Sequence, residues 1–178
     1  IARDAANPLE RHVAEIVGQF HFVAIHRNVH RKWLAVVLLA RMIHIGEDMD
    51  PRVRSACADN LSLKMLALDM LRPGVACSDI HGAVVKEAAK RGIQLSSASG
   101  IGHGVGRGEI EGPYLAADDP TVLCENMVIA LDVATLGPEG ELLRSIDIYA
   151  VEKDGPRLLS WHRNWDMPYM ITGFRSAH

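Results

Sequence analysis

One histidine set in a run of glycines is the first candidate for chemistry in this chain. Residues 100–115 read GIGHGVGRGEIEGPYL, with glycine at every second position from Gly100 to Gly108 and His103 among them. A stretch almost bare of side chains lets backbone and imidazole line a cavity wall without crowding a ligand. The same composition also suits a glycine-rich strand or loop in which the histidine is incidental. Two phosphate-binding patterns fail on spacing: the glycines do not run G-x-G-x-x-G into a helix, and no G-K-[ST] ending is present.

The elements that must position this stretch follow from periodicity. Residues 20–27 alternate, with Phe20, Phe22, Ala24 and His26 on one face, as in a strand. The apolar run over residues 34–45 predicts a second, well-buried strand ending at Gly46. Asp50-Pro51 opens a helix, with Val53, Cys57, Leu61, Met65 and Leu68 as its apolar face and Arg72-Pro73-Gly74 as its stop. Ser78 is expected to cap a second helix with the inner stripe Ile80, Val84 and Ala88, closed by Gly92. Strands are predicted over 127–134 and 142–151 around the loop Gly137-Pro138-Glu139-Gly140, and again over 157–161. Residues 1–19 read as a lead-in, and 162–178 as a tail without an assignable pattern. The prediction is a single α+β domain spanning 1–178.

Composition narrows the function classes. A net charge of -3 and a pI near 6.3 supply no basic field, so neither nucleic acid nor an anionic membrane is an expected partner. The longest apolar run is too short to span a bilayer. Three cysteines, Cys57, Cys77 and Cys124, form no C-x-x-C; buried structural thiols in a reduced, cytoplasmic setting are expected.

The order strand pair, two helices, GIGHGVG, EGPYL, MVIALDV and LLRSIDIYAVEKDG resembles the second half or more of the pita-bread family. That family contains methionine aminopeptidases, proline-specific aminopeptidases, prolidases and creatinase. The resemblance covers about residues 20 to 160, and LRPGVACSDI is especially similar to creatinase. It implies a curved antiparallel sheet covered by helices, with the first half of the fold reduced or missing. A half sheet leaves an open edge and face, so a homodimer or a complementing chain is expected.

The family's metallopeptidases hold two divalent metals through two aspartates, one histidine and two glutamates. By resemblance, the aspartates fall on or near His26 and near Leu38, the histidine on His103, and the glutamates on Asp132 and Ile146. A second family histidine falls on Ile110. One carboxylate and two imidazoles cannot offset the repulsion of two close dications, so no dinuclear site is expected. Asp147 is no substitute, because neighbours on a strand face opposite sides.

Three functions remain open. In the first, the protein resembles creatinase in working without metal or other cofactor: His103 is the acid-base group for a small C–N-containing substrate. Asp132 then orients or charge-stabilises the imidazole, with Glu111 or Glu109 as lesser candidates. Arg41, Arg144 and His26 are candidate substrate contacts, the arginines through bidentate pairing with a carboxylate. In the second, the domain binds a partner and has no activity. In the third, His26, His103 and Asp132 hold one divalent transition metal.

Overall fold

Asp50 ends one segment and begins another because its carboxylate accepts from the Arg52 backbone N–H at 2.7 Å, capping the helix that Pro51 starts. That helix, α1, spans Pro51–Met70. A computed structural model describes residues 40–45, 48–96, 100–106, 108, 110–160 and 168–171. The strand expected over 20–27 and the first half of that over 34–45 lie outside these residues.

The second helix, α2, spans Cys77–Arg91 and ends where Gly92 adopts φ 68°, the left-handed closure expected of it. Its start differs from expectation. Ala76 is the N-cap and Ser78 lies inside the helix, without a side-chain cap. The free N–H groups of Cys77 and Ser78 are instead bonded by the carbonyls of Thr121 and Asp119, both at 2.9 Å. The loop of residues 116–121 thereby becomes part of the helix start.

Five antiparallel strands form the main sheet in the order β3-β2-β4-β5-β6. They are β2 (Gly102–Gly104), β3 (Glu111–Tyr114), β4 (Val128–Leu136), β5 (Leu142–Ala150) and β6 (Arg157–Leu158). The glycine-rich stretch thus supplies two strands, and the last strand stops short of the expected 157–161. A separate parallel pair joins β1 (Ile43–Ile45) to β7 (Tyr169–Ile171), so part of the tail is ordered structure after all. Ahead of β1, Ala40 bridges to Ile146.

The sheet has two unlike faces. Ile129, Leu131, Val133 and Tyr149 point toward the helices and pack on Leu63, Ala67, Ile80 and Val84. Ala130, Ile146 and Ile148 form a smaller cluster with Ala40 on the other face. Cys57 and Cys77 are buried as expected, whereas Cys124 is exposed.

The buried side of α1 corrects the sequence reading. It comprises Cys57, Asn60, Leu63, Lys64 and Ala67, while Val53, Leu61, Met65 and Leu68 are only half-buried. Asn60 is buried because its amide reaches the Val133 carbonyl at 3.0 Å and Thr135 Oγ1 at 3.1 Å. Lys64 Nζ donates to Asp147 Oδ2 at 2.5 Å and to Ser145 Oγ at 3.2 Å. Asp147 also accepts from Arg41 Nη2 at 2.6 Å and from Ser160 Oγ at 2.8 Å. Burial pushes the Lys64 ammonium below its ordinary range, with the Asp147 carboxylate opposing that shift. Two cations therefore share one carboxylate between helix and sheet.

Candidate functional site

The glycines of β2 are required by the strands on either side of it. A Cβ on Gly102 would stand 2.5 Å from the Ala130 carbonyl oxygen, and one on Gly104 would stand 2.4 Å from that of Gly112. Gly100 has φ 134°, which side-chain-bearing residues rarely adopt. Between these glycines His103 pairs with Ala130 on β4 and Tyr114 on β3, and the register with β3 shifts just after it.

His103 is 8% exposed, and its Nδ1 lies 3.0 Å from the Gly104 carbonyl oxygen. A carbonyl can only accept, so Nδ1 is the donor in this contact, and in the tautomer that makes it the lone pair lies on Nε2. His103 forms part of the wall of a cavity of about 900 Å³.

Asp132 and Arg144 line the same cavity. Asp132 lies opposite Ile146 in the β4–β5 ladder, and Arg144 lies opposite Ala134, one same-face step along. Arg144 reaches across that diagonal: Nε donates to Asp132 Oδ1 at 2.6 Å and Nη2 donates to Oδ2. Hydrogen bonding to Asp132 holds the guanidinium above its ordinary pKa, with burial working against it. The other walls come from His81 of α2, Ser96, Leu142 and the 116–120 loop, and Ile110 and Tyr114 stand exposed at the rim. Asp119 braces that loop by accepting from the backbone N–H groups of Tyr114 at 2.6 Å and Thr121 at 2.9 Å.

Of the sequence-predicted residues, the structure brings together His103, Asp132 and Arg144. Glu111 is placed differently: its carboxylate accepts from the Gly108 N–H at 3.0 Å, closing the turn beside it. A Cβ on Gly106 would come within 2.0 Å of Glu111 Oε1. Arg41 pairs with Asp147 and donates to the Ile146 carbonyl at 2.9 Å. His26 and Glu109 lie outside the described residues, as does Leu38. His81, Ser96 and Asp118 join the cavity without any sequence signal, because they come from separate segments and have no motif spacing.

Among the described residues no group of three His, Cys, Asp or Glu side chains is placed to hold a metal ion. Ile146 presents hydrocarbon opposite Asp132, and Asp147 points to the helix side, as strand alternation requires. The described residues do not make up a two-metal centre. No helix among them is long and apolar enough to cross a membrane.

The chain is 27% identical over 116 residues to an Xaa-Pro dipeptidase of Lactobacillus delbrueckii subsp. lactis, which covers 65% of this chain and 31% of that protein. Its fold is similar to that of dipeptidase PepE from Mycobacterium ulcerans, with a TM-score of 0.68 and 23% identity over 76% of this chain and 36% of the other. It is also similar to the N-terminal domain of a FACT complex subunit from Cicer arietinum (chickpea), with a TM-score of 0.67 and 20% identity over 76% of this chain and 35% of the other. The chain thus spans about a third of the length of each. The two structures establish the shared fold, an antiparallel sheet with two helices, in agreement with the α+β pita-bread expectation. Residues 35–155 match the metallopeptidase family M24, and the chain belongs to that family.

Proposed function

We propose that this protein is a metal-independent hydrolase or lyase for a small C–N-containing substrate, with His103 as its acid-base group. The observation that carries this reading is the anchored imidazole. Its Nδ1 is held by the Gly104 carbonyl and His103 lines the cavity, so in this reading Nε2 is the nitrogen offered to the substrate. In a hydrolysis, Nε2 takes a proton from water as the oxygen attacks the carbon bonded to nitrogen. The resulting Nε2–H protonates the nitrogen as the C–N bond breaks, restoring the neutral ring. Asp132 supplies negative charge in the same cavity, shared with Arg144. Metal independence is supported by Ile146 at the position opposite Asp132, and by the engagement of both Asp132 oxygens with Arg144. A homodimer or complementing chain belongs to this proposal; a stable monomer in light scattering rejects that part.

The test is His103→Ala assayed on amide, amidine and dipeptide panels. Loss of a general acid-base group is expected to lower turnover by about 10²–10⁴-fold while the thermal midpoint stays near that of the unchanged protein. Equal turnover refutes the role. Stoichiometric transition metal in the purified protein, together with loss of turnover on chelation, refutes metal independence.

A second reading has two observations in its favour. Asp132 is bonded by Arg144, and the His103 ring is held by a backbone carbonyl instead of a carboxylate. A partner-binding domain without activity needs no more than that. It predicts no turnover on any panel member and a partner recovered by pull-down.

A further inference from the structure

We infer that His81 is a second catalytic imidazole of the cavity, donating an N–H hydrogen bond to the substrate atom on which negative charge builds as water attacks. The inference rests on the hydrolysis proposed above, and it gives a residue to a demand that His103 does not meet.

That demand follows from electron balance. As the water oxygen bonds to the carbon of an amide, the π pair of the C=O bond moves onto the carbonyl oxygen. The pair returns to carbon as the C–N bond breaks. His103 handles the proton in this cycle, not the charge on that oxygen. A hydrogen-bond donor fixed in advance beside such an oxygen stabilises it with little reorganisation.

Few lining groups can serve. Arg144 directs Nε and Nη2 at Asp132, and His103 Nδ1 is held by the Gly104 carbonyl. Ser96 and Tyr114 are exposed. His81 lines the same cavity and is half-buried, and neither of its ring nitrogens bonds to a described residue. An imidazole carries at least one N–H whether neutral or protonated, so a donor is present in either form.

The frame around His81 is shared with His103. His103 pairs with Tyr114 across β2 and β3. The Tyr114 N–H donates to Asp119 Oδ2 at 2.6 Å, and the Asp119 carbonyl accepts from the Ser78 N–H at 2.9 Å. His81 follows Ser78 by one turn of α2. Asp119 thus ties the strand bearing one imidazole to the helix bearing the other, and this supplies the preorganisation that charge stabilisation needs.

The experiment measures steady-state kinetics of the 178-residue chain on glycinamide, glycylglycine and acetamidine. The two amides acquire negative charge on attack. Acetamidine is cationic in water, so attack on it cancels a charge and leaves a donor little to stabilise. His81→Leu is expected to lower kcat on the amides by about 10²–10³-fold, with KM within about threefold, and to lower kcat on acetamidine by less than about tenfold. His81→Gln keeps an N–H donor and is expected to recover at least about tenfold over His81→Leu on the amides. Comparing these two variants cancels any effect on folding that they share. Unchanged kcat in His81→Leu, equal losses on amides and acetamidine, or equal kcat in His81→Gln and His81→Leu overturns the inference. His103→Ala keeps the two proposals apart, because it is expected to lose turnover on every substrate. Amide turnover that His103→Ala abolishes and His81→Leu spares, or turnover of acetamidine alone, overturns the inference and leaves the role of His103 standing. No turnover of any of the three overturns the inference together with the hydrolysis it rests on.

Discussion

Asp147→Ala is the sharpest test of how the sheet is held to α1. The Asp147 carboxylate receives Lys64 Nζ at 2.5 Å, Arg41 Nη2 at 2.6 Å and Ser160 Oγ at 2.8 Å, and both the lysine and the aspartate side chains are 2% exposed. Removing it leaves an ammonium and a guanidinium buried together, with Ser145 Oγ as the nearest remaining partner of Lys64. Breaking a buried ion pair from one side costs about 3–5 kcal/mol. For a domain of this size, with about 2–4 °C per kcal/mol, the midpoint falls by roughly 6–20 °C. Lys64→Met is the control, because it removes the cation that burial already disfavours and leaves Asp147 with Arg41 and Ser160. Its expected cost is below about 2 kcal/mol, since a well-packed apolar side chain replaces a buried charge. Urea denaturation followed by circular dichroism, with thermal melts alongside, measures both. A loss under about 1 kcal/mol for Asp147→Ala, or an equal loss for Lys64→Met, refutes the reasoning.

Three further outcomes are expected. Gly104→Ala puts a methyl group 2.4 Å from the Gly112 carbonyl oxygen and 2.8 Å from its carbon, both backbone atoms. It is expected to cost about 1–3 kcal/mol in urea denaturation and to lower turnover, because Gly104 also holds the His103 ring. Asp50→Ala removes the cap of α1 and is expected to cost about 1 kcal/mol, seen as a small drop in thermal midpoint without change at the cavity. Burial pushes the Cys57 and Cys77 thiols up from 9.0 to about 11. In the unfolded chain these thiols lose their protons first. Their contribution is therefore complete below pH 9 and is lost as pH rises through about 11. Urea midpoints across that range should fall, and the fall should flatten in the Cys57→Ala, Cys77→Ala double variant; an unchanged slope counts against the burial argument.

Local chemistry was legible in the sequence, and long-range polar pairing was not. The start of α1 at Asp50-Pro51, its stop before Gly74, the Gly92 closure and the β4–β5 hairpin each depend on residues within a turn of one another. The buried side of α1 could not be found by apolar spacing, because Asn60 and Lys64 become core residues only through acceptors on strands some seventy to eighty positions later. Ser78 fails as a cap for a related reason: the carbonyls that satisfy the helix start arrive from Asp119 and Thr121. His103, Asp132 and Arg144 were each identifiable as candidates, yet nothing in their spacing shows the diagonal that joins Asp132 to Arg144. Glu111 illustrates the opposite error. Its carboxylate satisfies a turn N–H three residues away, a local use of an acid that a chemical motif disguises.

The strand that bears His103 carries a consequence for anyone wishing to retune this protein. Along β2 every position but His103 is fixed by its neighbours' main chain, so variation there is closed off. Selectivity has to be rewritten elsewhere in the lining, at positions 134, 142 and 144 of the neighbouring strands β4 and β5. A mutational library confined to those sites and the rim residues Ile110 and Tyr114 would sample new specificities while the imidazole stays in place.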